Sequence, residues 1–292
     1  MLKKVIVFLL VASSLLFVLS GCKKEVEYES TLDKVLDRGV VYIGSGNNTP
    51  PMNYIDESGT WTGFDLDLSA AIAERLGVTV ERVVVDNTTR ISYLANGTVD
   101  MVFSNLSRTR SREEQIDFAE PPYMWDGKIA YARKGEFEKL ADLAGKRIAI
   151  DQGSSAYIAI LQEIEKTNGA EPDVQSFQSN AECFLALSQG KVDAYTQDSV
   201  VIAAVAGSEG VDYEAIGGIY SPSLFSIGVT PDDSKWRDQI SFILQDLMRD
   251  GTYDAIYEKW FGPNGTFPLP LSAKPVFPKD SFGENKLFVW PD

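Results

Sequence analysis

The alternation of short β-branched runs with stretches of helical period constrains this chain more than any other feature. Val40–Ile43 (VVYI) reads as a strand. After a loop comes Gly63–Leu76, GFDLDLSAAIAERL, where Leu68, Ile72 and Leu76 fall four apart and with Ala73 make one apolar helical face. Asp65 and Asp67 stand in a first turn, where negative charge complements the helix dipole, and Gly77 stands where a left-handed residue ends a helix. Val78–Val85 reads as a second strand, Arg90–Ala95 as a short helix ending at Gly97, and Val99–Phe103 (VDMVF) as a third strand. Such alternation predicts an α/β sheet with helices on its faces.

A second α/β unit begins near Lys128. Lys146–Ile150, Val174–Phe177 and Val192–Thr196 are its expected strands, with helices over Tyr157–Ile164 and Asn180–Gln189 and another starting at Asp198. Ser226–Val229 reads as a further strand, followed by helices over Lys235–Met248 and Tyr253–Trp260. Near the start, Ser30-Thr31 caps a short helix through Leu36. The stretch Pro263–Asp292 is proline-rich and extended, yet its aromatic residues (Phe267, Phe277, Phe282, Phe288, Trp290) predict that much of it lies against the first α/β unit.

Composition excludes several functions. Histidine is absent, which removes Ser-His-Asp and Cys-His catalysis and the commonest zinc ligand. The net charge is −15 with acidic residues spread along the chain and no basic stripe, so a nucleic-acid partner is not expected. Lys3 and Lys4 precede an apolar run from Val5 to Leu19 that is too short for a membrane span and ends in Ser20-Gly21-Cys22, the pattern of a secretory signal over residues 1–21. Without those residues 25 basic side chains face 42 acidic ones, a net charge of −17. Beyond Cys22, which closes that leader pattern, Cys183 is the one remaining cysteine, so no internal disulfide is expected, and a buried, inert thiol in a helix is the simplest reading.

The order of residues in GFDLDLSAAIAERL, with the segments that follow it, resembles the signature of family 3 bacterial solute-binding proteins, the amino-acid receptors of ABC importers, over roughly residues 30–262. The resemblance implies a two-lobed α/β fold of the type II periplasmic-binding-protein kind. The first lobe is then discontinuous (30–126 and 224–262), the second spans 127–223, and two crossing strands near Trp125–Ile129 and Pro222–Ser226 form a hinge. Leu19-Ser20-Gly21-Cys22 is similar to a lipobox, which implies lipid on Cys22, a tether over 22–29, and anchoring of a monomer to the extracytoplasmic face of a membrane. The implied partners are a free amino acid and the permease subunits; no cofactor or metal is implied.

The same resemblance nominates site residues. In SNLSRTRSR (104–112) it assigns the ligand α-carboxylate to Arg112, whose planar guanidinium donates parallel hydrogen bonds. Ser107 and the backbone at Asn105 would meet the ammonium group; alternatively Arg112 is a surface residue paired with Glu113 or Glu114. Asp151-Gln152-Gly153-Ser154-Ser155 resembles the second lobe's carboxylate clamp, where helix-opening N–H groups and the Ser154 and Ser155 hydroxyls receive an anion, or where a serine simply caps the helix. Asp198 matches the ammonium-binding acid, with a helix cap as its alternative. For the side-chain pocket, Thr49 stands where a lid aromatic is usual. Gly46 stands where binders of cationic amino acids carry an acid. Arg90 matches the arginine that the glutamate/aspartate branch aims at the ligand's side chain, with Asn87 and Asn180 as polar partners. The expected ligand therefore has an acidic or amide side chain. A cyclohexadienyl or arogenate dehydratase is the rival on the same scaffold: Asp126-Gly127-Lys128 is similar to the crossing segment of those enzymes, and their chemistry needs a cleft carboxyl group held partly protonated. Asp198 and the lipobox favour binding.

Overall fold

The computed structural model describes residues 27–209 and 212–267. The expected signal peptide, Cys22 with most of the tether, and the extension beyond Phe267 lie outside these residues.

Helix α1 (Thr31–Arg38) opens where the Ser30 hydroxyl accepts the Leu32 N–H, and ends at Gly39 in the left-handed conformation. Strand β1 (Val40–Ser45) follows. The loop after it carries an antiparallel meander not foreseen from sequence, β2 (Asn48–Thr49), β3 (Asn53–Ile55) and β4 (Trp61–Thr62). Helix α2 (Phe64–Leu76) is the signature helix. Gly63 ahead of it has φ 140°, and a Cβ there would lie 2.2 Å from the Met52 carbonyl oxygen, so only glycine fits. Then come β5 (Thr79–Val84), α3 (Arg90–Ala95), β6 (Met101–Val102), α4 (Arg110–Glu113) and β7 (Asp117–Phe118).

Strand β8 (Met124–Arg133) leads away to a second sheet with β9 (Arg147–Asp151), α5 (Ala156–Glu165), β10 (Asp173–Phe177), α6 (Asn180–Ser188), β11 (Ala194–Asp198) and α7 (Ser199–Glu209). Strand β12 (Tyr213–Phe225) returns to the first sheet, where β13 (Gly228–Val229), α8 (Ser234–Arg249) and α9 (Thr252–Phe261) complete the first lobe. The fold is thus two-lobed, with the first lobe built from both ends of the described chain.

The first sheet has the order β5-β1-β6-β13-β7, with β1 parallel to β5 and β6 and β13 antiparallel to both neighbours. The second has the order β10-β9-β11-β8-β12, with β9 parallel to both neighbours and β8 antiparallel to β11 and β12. Alternate residues of its strands feed two cores. Ala130, Ile148 and Ala194 face the layer of Ile160 and Ile164, whereas Tyr131, Ala149 and Tyr195 face the layer of Cys183, Phe184 and Leu187. Cys183 is fully buried, and burial pushes its thiol pKa up, so the inert reading of this residue holds.

The core of the first lobe explains why the chain must return. Phe64, at the start of α2, sits among Tyr123, Tyr253, Tyr257 and Phe261 with ring centroids 5.1–6.3 Å away, three of the four rings coming from α9. Asp67 accepts hydrogen bonds from Trp260 Nε1 and Lys259 Nζ, both at 2.6 Å, fixing α9 to α2. Phe267 stacks on Trp260 and meets the edge of Tyr54, so the first residues past α9 do lie on this lobe. Between the lobes, β8 and β12 run side by side: Met124 and Phe225 belong to the first core, and Ala130 and Ile216 to the second. These paired strands are the crossing segments.

Candidate functional site

The site is built from loops at the carboxyl ends of parallel strands in both lobes, which face one another across the cleft. In the first lobe β6 runs into Ser104–Ser107, and Asn105 adopts the left-handed conformation with φ 37°. A buried carboxylate holds it there. Asp65 Oδ2 accepts the Asn105 N–H at 2.7 Å and Asn53 Nδ2 at 2.8 Å, and Asp65 Oδ1 accepts the Tyr123 hydroxyl at 2.9 Å. Burial raises the Asp65 pKa to about 6, against the pull of those donors and of the Arg90 charge. The helix-dipole role read for Asp65 from sequence is therefore corrected: it turns inward and pins the loop. The Asn105 N–H is spent on Asp65, and its backbone carbonyl is the acceptor that could meet an ammonium group.

Arg112 lies on the short helix α4, which Thr109 caps. It is buried, and no ion pair joins it to Glu113 or Glu114 among the described residues. Arg108 takes Glu113 and Glu120 instead. Arg112 Nη1 donates to the Ser107 carbonyl at 2.6 Å, and Nη2 donates across the cleft to the Gly153 carbonyl at 3.3 Å. Burial lowers its pKa, opposed by the negative charge of Asp198.

Arg90 is also buried, so it does not lie on the exposed face of its helix. The carboxylate of Asp86 gathers the N–H groups of Thr88 and Thr89 and turns the start of α3 so that Arg90 points inward. Its Nη1 donates to the Ser104 carbonyl at 2.6 Å, whereas Nε is buried without a partner. Burial, then the like charge of Arg112, lowers the Arg90 pKa to about 9.

The second lobe supplies the other wall. At the end of β9, Asp151 accepts Asn87 Nδ2 of the first lobe at 2.7 Å. Burial raises the Asp151 pKa to about 6, opposed by Arg90 and by the Asn87 hydrogen bond. Gly153 follows with φ 71°, and a Cβ there would stand 3.1 Å from the Asn87 backbone, so the lobes meet at a residue without a side chain. The Ser154 hydroxyl is buried without a partner. Ser155 does not cap α5 with its side chain; its hydroxyl reaches Ser107 Oγ at 3.4 Å, and Ser107 in turn bonds Ser223 Oγ at 2.8 Å. Asn180 donates to Thr49 Oγ1 at 3.4 Å, while its own carbonyl accepts Tyr195 and Gln197. Gly46, Thr49, Asn87, Ser104, Asn105 and Asp151 line a common cavity.

Asp198 ends β11. The cap alternative belongs to another residue: Asp126, on β8, accepts the Ser199 hydroxyl and the Val200 N–H at the start of α7. Asp198 itself is ion-paired with Lys128 at 2.6 Å, both side chains almost wholly buried. Burial and then the nearby Asp198 charge raise the Asp126 pKa to about 6. Thus Thr49, Asn87, Arg90, Asn105, Ser107 and Arg112 face Ser154, Ser155, Asn180 and Asp198 across one cleft. Sequence reasoning did not single out Asp151 or Lys128 as side chains of this site. Asp151 had a usable signal, since it opens the glycine turn already assigned to the ligand.

The model of the bacterial extracellular solute-binding proteins, family 3, matches residues 41–263. The chain belongs to this family. A family 3 relative, the glutamine-binding protein of an ABC transporter from Bacillus subtilis (strain 168), is 28% identical over 249 residues, covering 82% of this chain and 89% of the relative. An ancestral arginine-binding protein, solved with glutamine bound, is 34% identical over 77% of this chain and 99% of its own, with a TM-score of 0.69. An ancestral amino-acid-binding protein described as a precursor of cyclohexadienyl dehydratase is 29% identical over 79% and 99%, with a TM-score of 0.72. These likenesses agree with the type II two-lobed architecture, and these curated relatives are amino-acid-binding proteins, the Bacillus subtilis one of an ABC transporter. Family 3 is an extracellular family. Among the described residues, no helix is long and apolar enough to cross a membrane, and no cluster of acidic or sulfur ligands could hold a metal ion.

Proposed function

We propose that this chain is the substrate-binding component of an ABC importer, which captures a free polar amino acid between closing lobes (30–126 with 224–262, and 127–223) and delivers it to a membrane permease. The observation that carries the reading is the convergence of Arg112 and Ser107 from one side of the cleft with Asp198 and the Gly153–Ser155 turn from the other. A guanidinium, helix-opening amides and an acid are what a zwitterion's two charges require. Closure turns about β8 and β12. Lipid on Cys22, as the lipobox-like Leu19–Cys22 suggests, would hold a monomer at the outer face of the membrane.

Between the acidic and amide side chains expected from sequence, the site favours the amide. Arg90 brings a buried Nε–H in need of an acceptor, and Asp151, which already accepts Asn87 Nδ2, brings a carboxyl group with room for a further donor. A primary amide offers both, whereas a second carboxylate would meet Asp151 as a like charge. A cationic side chain could also use Asp151, but Gly46 leaves no room for a further acid: a Cβ there would lie 2.2 Å from Asn53 Oδ1.

The test is a thermal-shift screen of residues 23–292, refolded to strip carried-over ligand, against the common amino acids plus prephenate and arogenate. Ligand at about 100 times its Kd adds about 2.7 kcal/mol. A rise with glutamine or asparagine supports the reading, and no rise with any amino acid refutes it. One observation favours the dehydratase as a second reading: Asp151, with its pKa raised to about 6, is a cleft carboxyl group held partly protonated near neutrality. Formation of phenylpyruvate or phenylalanine in the wells would decide for it.

A further inference from the structure

The acid expected to receive the ligand's ammonium group is already occupied. Lys128 and Asp198 are register partners on the antiparallel strands β8 and β11, so their backbones hold the two side chains together. Lys128 Nζ lies 2.6 Å from Asp198 Oδ1, with the side chains 3% and 2% exposed. Arg112 adds a second positive charge close enough to Asp198 to feel its field. Asp126, on the same face of β8 as Lys128, is satisfied separately by the Gly127 and Val200 N–H groups and the Ser199 hydroxyl.

Where an acid has no other counter-charge, a ligand without an α-ammonium group strands a buried carboxylate, and binding collapses. Here the same ligand leaves the Lys128–Asp198 pair intact. We infer that Lys128 is a specificity-determining residue that relaxes the α-position, so that the cleft binds carboxylates lacking an α-ammonium group alongside amino acids. This rests on the amino-acid reading of the cleft. It widens the ligand class to 2-oxo, 2-hydroxy and unsubstituted acids that carry the same side chain. The carboxylate end, held by Arg112 and the Gly153–Ser155 turn, then dominates recognition.

The experiment is titration calorimetry on the protein, Lys128→Met and Lys128→Gln with three matched pairs: glutamine and glutaramate, glutamate and glutarate, arginine and 5-guanidinopentanoate. Each second compound is the first without its α-amino group. In the wild type the Kd ratio within a binding pair is expected to stay within about tenfold. In Lys128→Met it should widen to roughly 100-fold, the loss of a charged hydrogen bond onto an uncompensated acid. Lys128→Gln, which keeps a donor for Asp198 and is the milder change for folding, should fall between them. A wild-type ratio above 100-fold overturns the inference without any variant, as does a ratio that Lys128→Met leaves unchanged. If amino acids bind and the ratio is large, only this inference fails; if no amino acid binds in the thermal-shift screen either, the reading of the site fails with it.

Discussion

Arg112→Ala is the sharpest perturbation of this site, and its magnitude follows from how the guanidinium is held. Five N–H bonds are available on an arginine. One is spent on the Ser107 carbonyl, which fixes the side chain to its own loop, and one on Gly153 of the opposite lobe. The remaining N–H groups suffice for the two parallel bonds that a carboxylate accepts. Charged hydrogen bonds are worth about 1.5–3 kcal/mol each, so losing two should raise the Kd by roughly 100- to 10,000-fold. Arg112→Lys keeps the charge but offers a point in place of a fork, and should lose an intermediate roughly 10- to 100-fold.

The assay is calorimetry with whichever amino acid gives the largest thermal shift, with unfolding curves to show that each variant folds. Arg108→Ala is the control, because its ion pairs with Glu113 and Glu120 are solvent-exposed and such pairs are worth about 0–1 kcal/mol to stability. Its Kd should match the wild type. If Arg112→Ala binds within threefold of the wild type, Arg112 is a structural tie between lobes and the carboxylate lies elsewhere.

Further outcomes follow from the same geometry. Asp65→Asn puts an amide among the donors Asn53, Asn105 and Tyr123, releasing the Ser104–Ser107 loop; binding should weaken by about tenfold or more, and unchanged affinity would show that the loop holds its shape without this carboxylate. Arg90→Ala should erase discrimination between amide and acidic ligands while retaining binding, and Asp151→Asn should shift preference toward glutamate; equal loss of every ligand in either variant would contradict a role in side-chain selection. Stability should also depend on pH in an unusual direction. The carboxyls of Asp65, Asp126 and Asp151, raised by burial to about 6, retain protons in the folded state that the unfolded chain releases near pH 4. Their contribution is present below about pH 4 and is lost as the pH rises through about 6. Urea unfolding between pH 4 and 7 should show this slope reduced in Asp151→Asn; an identical slope in the variant would count against that burial.

What was legible in the sequence was whatever short-range chemistry decides. Ser30 fixes the start of α1, which runs past the expected Leu36 to Arg38 before Gly39 ends it, and α3 begins and ends where its residues indicated, because caps and periods act over a few positions. The residues nominated for the site, picked out by their order along the chain, lie around one cleft. Their partners were not. Asp65 in a first turn looks the same whether it faces solvent or, as found, is wholly buried beneath the binding loop, since the donors that claim it arrive from Asn53, Asn105 and Tyr123. Asp198 and Lys128 are 70 residues apart, and only the antiparallel register of β8 and β11 makes them neighbours. A motif therefore locates an acid; the sheet decides whether that acid is still free to bind. For this chain, the second fact bears more directly on which ligand enters the cleft.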